Sequence, residues 1–161
     1  MIRSIYAAAL IAGTSLGLAS CGSETEEPAV TADENSIAGV EVTNARLVLP
    51  PVSGNPAAVY FDLANSGDRN LAFRNAEVAE AGRAEMHDTI MEGEKMVMGE
   101  APPILVESGG NVSFEPGGKH IMVFELPEDI AEGSTAEVTL IAAGNRRHTF
   151  EATVQSAGDD R

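Results

Sequence analysis

Asn111-Val112-Ser113-Phe114-Glu115-Pro116-Gly117-Gly118-Lys119-His120-Ile121-Met122-Val123-Phe124-Glu125-Leu126 reads as two short strands joined by a tight corner. Pro116 fixes its own φ and Gly117 tolerates a positive one, the pair that a type II turn needs at its two central positions. The flanking runs, 111–114 and 120–126, are rich in the β-branched and aromatic residues that suit a pleated surface. On the second run His120 and Met122 are two apart, so on a strand both side chains leave the same face. The stiff turn sets where His120 reaches.

The same alternation of short run and breaker continues outward in both directions. Val40–Val48 alternates for much of its length and stops at Pro50-Pro51; 58–63 stops at Asn65-Ser66-Gly67-Asp68; Leu71–Val78 follows. Residues 83–89 and 95–98 flank Glu92-Gly93, and 136–142 and 148–154 flank Gly144-Asn145. Short strands at regular spacing, separated by Gly, Pro and Asn, predict an all-β sandwich or barrel. There is no sustained helical period and no internal repeat.

The N-terminal end has a different character. Arg3 is the only charge before Cys21, 5–18 is an apolar run, and Leu18-Ala19-Ser20 puts small residues before the cysteine. Residues 1–20 therefore read as a secretory signal peptide, too short for a membrane span. Leu-Ala-Ser-Cys resembles a bacterial lipobox, in which Cys21 is lipidated and becomes the first mature residue. An ordinary signal with an incidental cysteine is the other reading. Residues 21–36 hold five carboxylates and no base, an acidic flexible tether that reaches about 50 Å at full stretch. The remaining expectation is one β-sandwich domain over 37–155 and a polar tail over 156–161. The place expected for it is the periplasm or cell envelope, on the membrane through the lipid.

Charge narrows the partners. The chain has 10 basic and 25 acidic residues; without Arg3 the balance is 9 against 25, a net of −16. Such a surface argues against nucleic acid and against docking on anionic lipid. Beyond Cys21 there is no cysteine, hence no disulfide within the domain and no thiolate for a blue-copper centre or a nucleophile. No serine sits in a recognisable nucleophile turn, and no metal-ligand run carries a general base, so the chain does not read as an enzyme.

His87, Met98, His120 and Met122 form the spacing His-x10-Met-x21-His-x-Met. Two imidazoles with two soft thioethers suit Cu(I) and serve zinc, calcium or magnesium poorly. Methionines on strands also serve as core filler, and Met86, Met91 and Met96 are open to that reading, to a rim around a metal, or to a docking surface. His148, after Arg146-Arg147 near a turn, reads as a surface residue. If Glu92-Gly93 is a two-residue hairpin loop, residues whose numbers sum to 185 face each other. His87 and Met98 then stand opposite, with Cβ atoms about 4.5–5.5 Å apart. On residue types alone, a metal-free immunoglobulin-like scaffold and a copper-dependent redox enzyme both remain open.

Glu85-Met86-His87-Asp88-Thr89, Met91-Glu92-Gly93, Met96-Val97-Met98 and Pro116-Gly117-Gly118-Lys119-His120-Ile121-Met122 resemble the signature segments of the periplasmic copper chaperone family often called PCuAC. The resemblance spans about residues 40–155. It implies a cupredoxin-like Greek-key β-sandwich. It also implies Cu(I) ligation by His87, Met98, His120 and Met122, and delivery of copper towards cytochrome c oxidase assembly. Sco-type proteins or an oxidase subunit are the implied acceptors. Some members of that family carry a His- and Met-rich C-terminal extension; this chain ends Ser156-Ala157-Gly158-Asp159-Asp160-Arg161.

Overall fold

A computed structural model describes residues 35–127 and 129–158, with the backbone alone at Glu92. The expected signal peptide, Cys21, the expected tether up to 34, and 159–161 lie outside the described residues. The rest is all-β: β1 (Val40–Val48), β2 (Ala57–Asn65), β3 (Leu71–Val78), β4 (Arg83–Glu92), β5 (Lys95–Glu100), β6 (Ile104–Val106), β7 (Gly110–Phe114), β8 (His120–Phe124), β9 (Thr135–Ala142) and β10 (Arg146–Gln155).

Hydrogen-bonded neighbours run in the order β5-β4-β8-β2-β1-β10-β9-β3-β6, with β7 also on β2. β1 pairs in parallel with β10 (Arg46↔Thr153) and antiparallel with β2. The other edge of β2 is divided: Ala57–Val59 carries β8 and Phe61–Asn65 carries β7. Alternation explains why the layers close on each other. Along β2, Ala57, Val59, Phe61 and Leu63 are buried while the residues between them are half-exposed. Phe61 stacks on Phe114 at 4.1 Å and meets Phe150 at 5.1 Å, and Leu47, Phe73, Ile121, Val123, Val138 and Leu140 complete the interior. Buried apolar faces meeting in this way make the cupredoxin-like Greek-key sandwich expected above.

The corner before β8 is the expected type II turn. Gly118 N–H donates to the Glu115 carbonyl at 3.0 Å, and Gly117 has φ +82°. One strand, β6, was not legible: three residues after Pro102-Pro103 are too few to show a period.

Two expectations are corrected. In the β4–β5 hairpin Glu92 pairs with Lys95, so the loop is Gly93-Glu94 and paired numbers sum to 187. His87 stands opposite Glu100, and Met98 opposite Thr89. The reason is local: Gly93 has φ +66°, and a type II′ hairpin turn takes glycine as its first loop residue. His148 is not on the surface. It is 8% exposed, and its Nδ1 accepts a hydrogen bond from the Ile37 N–H at 3.2 Å. Burial pushes its pKa below the ordinary imidazole value.

Candidate metal centre

Three adjacent strands bring the four sequence-selected side chains to one face. β4 pairs with β8 antiparallel, with His87 directly opposite His120 and Glu85 opposite Met122. β5 lies on the other edge of β4. The core sides of these strands are taken by Met86, Ile121 and Val123, all buried. By alternation His87, His120 and Met122 turn away from the core, and Met98 shares that side through its partner Thr89. His87 and Met98 are thus one diagonal step apart, where Cβ atoms are about 7–8 Å distant but long side chains still meet.

The imidazole rings of His87 and His120 have centroids 5.8 Å apart, inclined at 50°. Each ring is held by one nitrogen. Nδ1 of His120 lies 2.9 Å from the Gly118 carbonyl, which can only accept. The neutral ring therefore carries its proton on Nδ1 and its lone pair on Nε2. Nε2 of His87 lies 3.1 Å from Oε2 of Glu85, two residues back on the same face. Hydrogen bonding from His87 and the charge of Arg83 keep the Glu85 carboxyl below the usual carboxylate range, so it too acts as acceptor. The proton of His87 then sits on Nε2 and the lone pair on Nδ1. That Nδ1 is buried and without a hydrogen-bond partner among the described residues, as is Oγ1 of Thr89. A buried polar atom left unpaired costs about 1–3 kcal/mol.

Exposure differs around the group. His120 is 4% exposed, wedged beside Tyr60 at a ring distance of 6.3 Å; Met98 is 54% exposed. The ion pair of Lys119 with Asp88, at 3.0 Å, continues the β4–β8 register by one step past the histidine pair. Partly exposed to water, it aligns the two strands more than it stabilises them. Among the described residues no three or more His, Cys, Asp or Glu side chains converge on a point. A soft ion placed here would thus have imidazole and thioether around it, without a hard-donor cage.

Of the other methionines, Met86 is core filler, 4% exposed, while Met91 and Met96 are exposed at 62% and 68%. The partners missed at the sequence level were Glu85 and the Gly118 carbonyl. Glu85 had a readable signal, since i−2 on a strand shares the face of His87. The carbonyl had none, because its direction depends on the turn.

Residues 40–154 match the family model described as "Putative lipoprotein LpqE-like". The chain belongs to the LpqE-like family. Among curated relatives of this LpqE-like chain, an "Uncharacterized protein" of Rickettsia prowazekii (strain Madrid E) is 29% identical over 99 residues. That stretch is 61% of this chain and 55% of the relative, so the chain spans about half the length of that protein. A "Putative lipoprotein" of Leifsonia xyli subsp. xyli (strain CTCB07) is 29% identical over 141 residues, 87% of this chain and 81% of the relative. Solved structures share the LpqE-like fold. The copper-bound PCuAC domain from PmoF2 superposes with a TM-score of 0.62 at 20% identity, covering 76% of this chain and 97% of the domain. The solution structure of Cu(I)-DR1885 from Deinococcus radiodurans gives 0.61 at 23%, covering 78% and 84%.

Proposed function

We propose that this LpqE-like protein is a Cu(I)-binding metallochaperone of the cell envelope, with His87, Met98, His120 and Met122 as its ligands. The observation that carries the reading is the histidine pair. Two rings on directly opposed strand positions are each anchored by one nitrogen, which leaves Nδ1 of His87 and Nε2 of His120 as lone-pair donors. Met98 and Met122 add two sulphurs on the same face. The copper-bound PmoF2 domain and Cu(I)-DR1885, which share this fold, agree with this donor set.

The chemistry is binding and transfer. Thioethers are neutral and soft, so they favour Cu(I) and contribute little towards Zn(II). With no thiolate in the site, an acceptor bearing cysteines competes for the ion successfully. Transfer by ligand exchange needs a ligand that solvent and partner can reach, and Met98 is half-exposed. We assign the acceptor to the cytochrome c oxidase assembly route, with a Sco-type protein or an oxidase subunit as partner. We assign Cys21 as the lipid attachment point, in keeping with the lipoprotein family, and the acidic tether as the spacer that lets the domain reach its acceptor.

Anaerobic Cu(I) titration against a competing chelator tests the site. Wild type should hold one tightly bound Cu(I). His120→Ala should lose it, and Met122→Leu, which keeps volume and removes sulphur, should weaken Cu(I) far more than Zn(II) while changing stability by less than about 1.5 kcal/mol. Wild-type Cu(I) affinity in both Met98→Leu and Met122→Leu would sink the reading. For the anchor, Cys21→Ser should move the protein out of the membrane fraction without altering copper binding by the domain.

A further inference from the structure

The β4–β5 hairpin runs on past the core. Ile90 and Val97 on one side, and Met91, Met96 and Met98 on the other, are all exposed, by 37% to 68%. Met91, Met96 and Met98 lie on the face of His87, nearer the hairpin tip. Apolar side chains in water contribute little burial energy, so packing does not account for three methionines here.

Their register does. Met91 and Met96 are direct cross-strand partners, next to the Glu92–Lys95 pair that closes the loop. In a two-residue hairpin the closing pair exchanges hydrogen bonds, which makes the next pair the non-bonded kind, with Cα atoms only about 4.5 Å apart. Met98 follows Met96 by two residues on the same face and sits diagonal to Met91. Each thioether hangs on an unbranched, freely turning chain, so the three sulphurs can meet at one point outside the sheet. The site proposed above begins one pair further along, where Met98 faces Thr89 beside His87.

We propose that Met91, Met96 and Met98 form a second, weaker Cu(I) site made of thioethers alone, and that Met98 belongs to both sites, so that copper is loaded and released along the hairpin. This rests on the function proposed above. In the inward step Met98 keeps its bond to Cu(I), the sulphurs of Met91 and Met96 leave, and Nδ1 of His87, Nε2 of His120 and the sulphur of Met122 take their places. Both imidazole nitrogens carry lone pairs in the neutral rings, so no proton is released. Copper stays Cu(I) throughout, and no electron moves. Two imidazoles outweigh neutral thioethers as donors, which makes the inner site the tighter one. The acidic surface of the chain, −15 overall, draws a cation to the exposed outer one.

The test is anaerobic Cu(I) titration of the full chain against a chelator, with copper release into excess chelator followed in time. Wild type should take a first, tight equivalent that commits Met98 to the inner ion, and a second, weaker one left to the sulphurs of Met91 and Met96, whose X-ray absorption shows sulphur neighbours only. Met91→Leu/Met96→Leu should lose the second equivalent, keep the first, and release copper several-fold more slowly. His87→Ala/His120→Ala should lose the first and keep the second. A double leucine variant that matches wild type in stoichiometry and release rate overturns the outer site and leaves the inner one standing. Persistence of the tight equivalent in the double alanine variant overturns the function proposed above instead.

Discussion

Glu85 stands two residues before His87, and its carboxylate holds the ring nitrogen that the proposed site does not use. A metal-ligating histidine is oriented by such a partner, which also makes the ring a better donor. Arg83 contacts the same carboxylate from the outer side. The depressed pKa of Glu85 means that the carboxylate persists as an acceptor as pH falls through the ordinary carboxyl range and is lost only in stronger acid. Glu85→Gln keeps the shape and removes the charge. Cu(I) affinity should fall on the order of tenfold, read by chelator competition at neutral pH, with the circular dichroism spectrum unchanged. Unaltered affinity would mean that Glu85 only covers the ring. The four candidate ligands were legible as residue types at a spacing, but this partner was not. Its role follows from which nitrogen it touches, and a sequence does not say which way a ring turns.

The β4–β5 hairpin shows how one residue in a loop decides what a strand pair presents. A shift of its register moves every cross-strand partner, here from His87–Met98 to His87–Glu100. Glycine at the first loop position satisfies the turn because it alone takes φ > 0 without a Cβ clash, and nothing lies within 4 Å of a Cβ built at Gly93. The strain of a substitution there is therefore backbone strain, about 1–2 kcal/mol for a residue forced to the left-handed side. Gly93→Ala should fray the hairpin tip. Amide hydrogen exchange should accelerate across Met91, Met96 and Val97 and stay unchanged in β1 and β2, since the tip lies outside the core. Equal acceleration in β2 would show instead that the hairpin and the core open together. Glycine's preference for the leading position was readable in Glu92-Gly93-Glu94, whereas the short β6 carried no comparable signal.

At the scale of the molecule, His148 joins the entering chain to the core through the Ile37 N–H. Its folded-state pKa is lowered by burial, so the unfolded chain takes up the proton first. Its contribution to stability is complete above about pH 6.5, the unperturbed histidine value, and is lost as pH falls through that value towards the lowered folded one. The melting temperature of the wild type should drop over this window. His148→Asn retains an acceptor for Ile37 and cannot titrate, so it should melt lower at neutral pH but with a shallower slope against pH. Equal slopes in the two proteins would show that His148 is not the group responsible. Asp62 and Glu77 act in the same direction at lower pH. Asn44 and Ser113 hold the Asp62 carboxyl down by hydrogen bonds, and Arg147 holds that of Glu77, so their stabilisation is lost only in acid.

Legible in the residues alone were the all-β class, nine of the ten strands among the described residues and the turn before His120. Alternation, glycine and proline act over a few residues, and their effects are visible in a few residues. The sequence also singled out His87, Met98, His120 and Met122, because soft donors at that spacing are chemically distinctive. The tertiary structure decided what depends on distant parts of the chain: that β8 lies against β4 and sets His120 opposite His87, that Glu85 and the Gly118 carbonyl fix the two rings, and that His148 is buried. Pairing between strands more than thirty residues apart is settled by which apolar faces close the core together, and no local window of residues contains that information.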